Sequence, residues 1–319
     1  MSESSKSLVS IVSPVYNEQS GISAFYNSLA KVLDKISGYN FEIVFCNDGS
    51  TDDSLVILKG VAKEDERVRL VTLSRNFGKE IAMTAGIEHA KGAAIITIDS
   101  DSQHPIEILG QFIEQWEKGY KVVVGKRKPG QHSSRFKRFS SSLFYKLFNK
   151  FSGTSLVQGA TDYCLIDRSV QKEFMKLTER NRLTRGLIDW LGYEQKYIIF
   201  EAKKRVDDKP SYSYGSLFKL ALDSIISLTN TPLYLIAYTG AVVLPLSFIL
   251  GLIMIIDKLF GDPFHWHATG GAYILVLMLF LMGILLMSQG FIGLYLSHIH
   301  QETQNRPIYI VSKDDSVRL

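Results

Sequence analysis

Cysteine is almost missing from this chain: its 319 residues hold two, Cys46 and Cys164, in apolar strand-like stretches far apart in sequence. That excludes a disulfide-built scaffold, and buried free thiols fit a reducing compartment. A Gly-x-Gly-x-x-Gly after the first apolar strand is also absent; SPVYNE (13–18) stands where a dinucleotide-binding fold would carry it. No internal repeat and no low-complexity tract occurs, and the early run SLVSIVSPVY is too short for a secretory signal and reads as a strand. Charge is missing from two long stretches, Pro232 to Ile256 and Ala272 to Ser297.

Each uncharged stretch is long enough to cross a hydrocarbon core about 30 Å thick, so two transmembrane helices are expected at 232–256 and 272–297. Pro245 would kink the first, and Gly283, Gly290 and Gly293 would let the second pack closely on a neighbour. The loop between them holds one lysine, whereas Lys203, Lys204, Arg205, Lys209 and Lys219 precede the first stretch and Arg306, Lys313 and Arg318 follow the second. The excess of basic residues on the flanks predicts both termini on the cytoplasmic side, with the large N-terminal domain working there. His265 and His267 flank Trp266 in the outer loop, a pattern that suits an aromatic interface anchor better than a metal pair.

The net charge of +4 is modest, and its distribution is more informative. Between Lys126 and Lys150 eight basic residues alternate with Phe136, Phe139, Phe144, Tyr145 and Phe148. Nucleic-acid binding is one reading of such a stretch. Beside two membrane spans the other is favoured, a basic amphipathic helix on an anionic bilayer, with no nucleic-acid partner.

Strand-like runs recur near 8–15, 41–46, 67–73, 93–99 and 121–125, with helical spacing over 20–37, 78–91 and 105–118. This alternation predicts an α/β domain with a mostly parallel sheet. Further on come a strand YCLID, helical stretches around 168–190, a strand KYIIFEA, and an amphipathic helix around 216–228 suited to the membrane interface. The expected organisation is a catalytic domain over 1–210, an interface helix over 211–231, and a membrane segment over 232–319 ending in a short tail.

AAIITIDSDSQHP (93–105) places Asp99 and Asp101 at the end of a greasy strand. An acidic turn is the plain reading, with Pro105 opening the next helix. The carboxyl end of a strand in an open α/β sheet is also where ligands gather, and two carboxylates so close repel unless a cation joins them. Mg2+ or Mn2+ takes one or two carboxylates and fills its shell with substrate phosphate.

Taken in order, SPVYNE (13–18), NDGSTDDS (47–54), LSRNFGKEIAMTAGIEHAKG (73–92), DSDSQHP (99–105), GKR (125–127), DRSV (167–170), LTRGLIDWLGY (183–193) and NRPIYI (305–310) resemble a known family. It is that of the inverting glycosyltransferases that make polyprenyl-phosphate sugars, the dolichyl-phosphate-mannose-synthase-like enzymes. The likeness is strongest to the bacterial group with two membrane helices, the undecaprenyl-phosphate glucosyl- and N-acetylglucosaminyltransferases. It covers nearly the whole chain. It implies a Rossmann-like nucleotide-sugar domain of the GT-A type and a metal-dependent, inverting transfer of hexose from a UDP-sugar to undecaprenyl phosphate. The product would serve to decorate a cell-surface glycan, and the enzyme would sit in the bacterial plasma membrane as a homo-oligomer.

The resemblance also implies roles. Pro14, Tyr16, Asn17 and Glu18 would line the nucleoside pocket, Glu18 reaching the ribose, and Asp48 would accept from the uracil imide N–H. Lys79 and Asp99 would also belong to the nucleotide site, and Arg205 would close over the diphosphate. Asp99, Asp101 and Gln103 would hold the metal, with Asp162 orienting sugar or acceptor as a third catalytic carboxylate. Arg127, Arg135 and Arg138 would grip the lipid phosphate, since guanidinium binds phosphate oxygens in pairs. That phosphate has a second pKa of about 6 and needs little help from a base. ATDYCL (160–165) puts Cys164 where relatives commonly carry arginine, at a place implied to read the sugar, so glucose and N-acetylglucosamine both remain open as donors. A processive polysaccharide synthase would need a Gln-x-x-Arg-Trp motif, which RGLIDW (185–190) lacks. A non-catalytic membrane scaffold would have no use for Asp48, Asp99 and Asp101 together.

Overall fold

The computed structural model describes residues 6–101, 103–128, 157, 159–180, 182–201, 260 and 270–319. The chain divides into two compact units, Met1–Ser211 with Arg306–Leu319, and Tyr212–Asn305.

The first unit opens with β1 (Ser7–Val15), α1 (Ile22–Leu33), β2 (Tyr39–Asn47), α2 (Ser54–Glu64), β3 (Val68–Thr72), α3 (Lys79–His89) and β4 (Ala94–Thr97). A short 3-10 turn (Ile106–Ile108) leads into α4 (Leu109–Glu117) and β5 (Val122–Arg127). Then come β6 (Ala160–Asp167), α5 (Arg168–Phe174), α6 (Thr184–Trp190) and β7 (Gln195–Phe200). The sheet order is β3-β2-β1-β4-β6-β5-β7. It is parallel throughout except for β6, which pairs antiparallel with both β4 and β5.

Burial on both faces explains the strand sequences. From Val9 to Val15 every residue of β1 is buried, so the strand reads as a nearly unbroken apolar run instead of an alternating one. On one face α1, α2 and α4 supply Phe25, Leu29, Leu58, Leu109 and Phe112. On the other, α3, α5 and α6 supply Ala82, Met83, Phe174 and Leu187. Each such large side chain, removed from water, stabilises the fold by about 1.5–3 kcal/mol. α1 shows the helical spacing expected of it, burying Ile22, Phe25, Leu29 and Leu33. α5 starts cleanly because Asp167 caps it, its carboxylate accepting the Ser169 N–H at 2.8 Å.

The last fourteen residues belong to this unit, although the sequence reading grouped them with the membrane segment. β3 is an outer strand, and the tail covers it through antiparallel bridges Leu70 to Val317 and Leu73 to Val311. Arg318 donates to the carbonyls of Ala62, Asp65 and Val68 at 2.7, 3.1 and 2.8 Å, gathering in the end of α2 and the start of β3. Its own carbonyl accepts from Arg69 Nε at 2.7 Å, and Arg69 is buried against Glu42 at 3.1 Å. An outer strand that would otherwise offer a row of free backbone groups is thus covered by the chain itself.

In the second unit α7 (Gly270–Thr303) runs 34 residues and takes in the whole stretch 272–297. Among the described residues no helix is long and apolar enough to cross a membrane, so the reading of 272–297 as a span rests on its sequence. The expected span 232–256 and interface helix 211–231 lie outside the described residues, as do Arg135, Arg138 and Arg205.

Candidate active site

β1, β2, β4 and β5 point their carboxyl ends the same way. The antiparallel strand β6 begins at that end. Thr97 pairs with Cys164, so two steps on from β4 and two steps back along β6 bring Asp99 opposite Asp162. Topology alone therefore gathers Asp99, Asp101, Asp162 and Arg127 at one end of the sheet.

The turn after β4 is held in place by two bonds. Ser100 Oγ donates to the Pro14 carbonyl at 3.1 Å, fastening the turn to β1, and the Gln103 N–H donates to Asp101 Oδ1 at 3.1 Å. His104 follows. Asp99, Asp101 and His104 each present a ligand atom, all within 4.8 Å of one another. The His104 ring packs against Tyr163 at 5.2 Å and Phe200 at 5.5 Å, and its Nδ1 lies 3.9 Å from Asp99. Burial pushes its pKa below the usual histidine range against the pull of Asp99, which favours neutral imidazole, the form that ligates metals. His104 Nδ1 and Asp162 Oδ1 are buried without hydrogen-bond partners. Two hard carboxylates beside an unpartnered imidazole nitrogen fit a divalent cation.

Lys79, the first residue of α3, reaches into the same cluster. Its Nζ lies 2.8 Å from the Asp99 carboxylate and 3.2 Å from Asp162 Oδ2. Burial works against the ammonium, but Asp99 and Asp162 outweigh it and raise its pKa above the usual lysine value. Next to it, Glu80 accepts from the backbone N–H and hydroxyl of Thr184 at 2.9 and 2.6 Å, tying the start of α6 to the start of α3. Burial and then the charge of Asp162 raise the pKa of Glu80, while the Thr184 bonds and Lys79 oppose the rise.

At the end of β1 the chain turns through Asn17, whose φ of 53° is left-handed. The turn is latched to the β2 loop: Asn17 N–H donates to Ser50 Oγ at 3.1 Å, Glu18 N–H to Ser54 Oγ at 2.8 Å, and the Thr51 N–H to Asn17 Oδ1 at 2.8 Å. Gly49, with φ of 64°, permits the crossing there, since a Cβ would lie 2.4 Å from the Arg75 carbonyl carbon. Pro14 is buried and Tyr16 is 44% exposed at the rim. Asp48 follows directly on β2. It is 2% exposed, and its two oxygens accept the backbone N–H groups of Phe77 and Gly78 at 2.7 and 2.9 Å. Its carboxylate thus fixes the turn that launches α3 and Lys79. Burial raises its pKa against those two bonds.

Arg127 ends β5 as an exposed residue, its N–H bonded to the Gly159 carbonyl at 2.8 Å. Cys164 is 4% exposed and lines a small cavity with Thr161, Arg185 and Tyr197. Burial pushes its thiol up to about 12, so it is no nucleophile. Sequence reasoning missed His104 as a candidate ligand and Glu80 as a tie between helices. Histidine in DSDSQHP was a visible signal for the first; an acid in the opening turn of a helix looks like ordinary dipole complementation.

Residues 10–174 match the model of glycosyl transferase family 2. The chain is 37% identical over 306 residues to the SfII prophage-derived bactoprenol glucosyl transferase of Shigella flexneri, spanning 96% of this chain and 97% of that protein. It is 36% identical over 307 residues to the bactoprenol glucosyl transferase of Shigella phage SfV, spanning 96% and 98%. Among solved structures, mannosyl-3-phosphoglycerate synthase from Rubrobacter xylanophilus shares the fold, with a TM-score of 0.51 and 16% identity over 69% of this chain and 72% of that one.

Proposed function

The chain belongs to glycosyl transferase family 2 and is a glycosyltransferase, and from that premise we propose that it transfers a hexose from a UDP-sugar to undecaprenyl phosphate, with inversion at the sugar carbon. The observation that carries the reading is the meeting of Asp99, Asp101 and His104 at the end of β4 with Asp162 opposite. The near full-length likeness to two bactoprenol glucosyl transferases supports a polyprenyl phosphate as acceptor and glucose as the first donor sugar to try.

Asp99 and Asp101, with His104 and Gln103 beside them, would hold Mg2+ or Mn2+ at the place where the donor's diphosphate binds. When bound, such an ion neutralises the charge that builds on the leaving group as the sugar–phosphate bond breaks. Pro14, Tyr16, Asn17 and Glu18 take the nucleoside, on a rim whose backbone is latched to the β2 loop. Asp48 serves that side through the Phe77–Gly78 turn. The acceptor is an anionic phosphate oxygen, so Asp162 positions the sugar or acceptor and no strong base is required. Arg127, Arg135 and Arg138 hold the lipid phosphate, and Arg205 assists on the diphosphate.

The stretches 232–256 and 272–297 anchor the enzyme in the bacterial plasma membrane with the catalytic domain and both termini in the cytoplasm. Support comes from the length of both stretches and their lack of charge. Glycines in the second stretch suit a homo-oligomer.

Calorimetry of the full chain in detergent tests the donor side. UDP is expected to bind in the presence of Mn2+ and to lose most of its affinity when the ion is chelated or Asp101 is replaced by alanine. Equal binding in all three conditions would contradict the reading.

A further inference from the structure

We propose that Lys79 competes with the metal for Asp99, and that this competition makes metal binding depend on the donor's diphosphate. The inference rests on the reading of the site just given and deepens it.

The Lys79 ammonium is held by the fold. Asp48 fixes the N–H groups of Phe77 and Gly78, Gly78 turns through a φ of 102°, and Lys79 then opens α3, so the side chain starts from a rigid base. From there Nζ contacts both Asp99 and Asp162, at 2.8 and 3.2 Å. Asp99 is also one of the three groups that converge for a cation. A divalent ion on Asp99 would share that carboxylate with an ammonium a few ångströms away, and two positive charges so close repel strongly at the edge of a protein interior.

Metal alone must therefore bind against Lys79. A nucleoside diphosphate changes the balance, because its phosphate oxygens give the ammonium a second anionic partner while adding ligands to the ion. Metal and nucleotide then favour one another, and by linkage each raises the other's affinity by the same factor. The arrangement would keep Asp99 paired with a cation in either state and reserve tight metal binding for the donor-loaded site. Lys79 acts here as a positioning residue whose charge sets the coupling.

The test is a Mn2+ titration of the full-length protein in detergent, followed by the electron paramagnetic resonance signal of free Mn2+, with and without UDP. Wild type is expected to bind Mn2+ weakly alone and more tightly with UDP. Lys79→Met is expected to bind Mn2+ alone about tenfold more tightly, with the tightening by UDP reduced by a similar factor. Lys79→Arg keeps the charge and is expected to stay near wild type. A gain in affinity cannot come from misfolding. If Lys79→Met binds Mn2+ alone no better than wild type, the competition is refuted and Lys79 is a phosphate ligand only. If wild type binds Mn2+ neither alone nor with UDP, the reading of the site falls first, and this inference with it.

Discussion

Gly86 of α3 packs so close to Val12 of β1 that a Cβ added to the glycine would lie 2.4 Å from Val12 Cγ1. This contact sets how near α3 lies to the centre of the sheet, and α3 carries Lys79 and Glu80 into the site. Val12 is fully buried, so making room means repacking the core around it. Gly86→Ala is expected to destabilise the catalytic unit by about 1–3 kcal/mol through overpacking. Thermal unfolding of the full chain should show a fall of several degrees; an unchanged melting temperature would show that the sheet yields at no cost.

His104→Phe separates ligation from packing. A phenyl ring can keep the contacts with Tyr163 and Phe200 while losing the nitrogen that faces Asp99. Mn2+ affinity measured with UDP is expected to fall about tenfold or more, with little change in thermal stability. Full retention of metal affinity would remove His104 from the site.

The tail is expected to be a working part of the sheet. Arg318→Ala leaves the carbonyls of Ala62, Asp65 and Val68 without their shared donor, which should cost about 1–3 kcal/mol locally. Hydrogen exchange at Leu70, whose N–H donates to the Val317 carbonyl, should speed up while β1 stays protected. Unaltered exchange at Leu70 would mean the tail is dispensable.

Both thiols should resist reagents in the native protein. Cys46 and Cys164 are 0% and 4% exposed, and burial raises both thiols well above their usual pKa, Cys164 to about 12. Labelling with a thiol reagent at neutral pH is expected to be slow until denaturant is added, then to report two groups. Fast modification of Cys164 in the folded protein would show that reagents reach the cavity it lines with Thr161 and Tyr197.

Much of the first half was legible because it is local. Apolar runs near 8–15, 41–46, 67–73, 93–99 and 121–125 became β1 to β5, since each strand is buried on both faces and is bounded by turn residues. Asp99 and Asp101 were legible for the same reason, as polar residues closing a greasy strand. What escaped depends on distant pairing. The reversal of β6, which delivers Asp162, leaves no mark in YCLID, because a strand reads alike in either direction. The tail on β3 joins residues some 240 positions apart, with Thr72 N–H donating to Ser316 Oγ at 3.0 Å. The helical stretches expected around 168–190 are α5 and α6, and what their sequences do not show is the join between them, where Arg182 donates to the Phe174 and Leu177 carbonyls. The resemblance gave Asp48 to the base, and the neighbours the fold supplies, the N–H groups of Phe77 and Gly78, come from a turn some thirty residues on.

The most direct test of the central claim is a transfer assay with radiolabelled UDP-sugars, undecaprenyl phosphate and Mn2+ or Mg2+, comparing the purified full chain with Asp101→Ala. The account predicts one labelled lipid product, with UDP-glucose as the leading donor, and a loss of at least about a hundredfold in the variant. Labelled lipid formed equally by both proteins, or UDP released by wild type with no lipid-linked sugar from any donor, would contradict it.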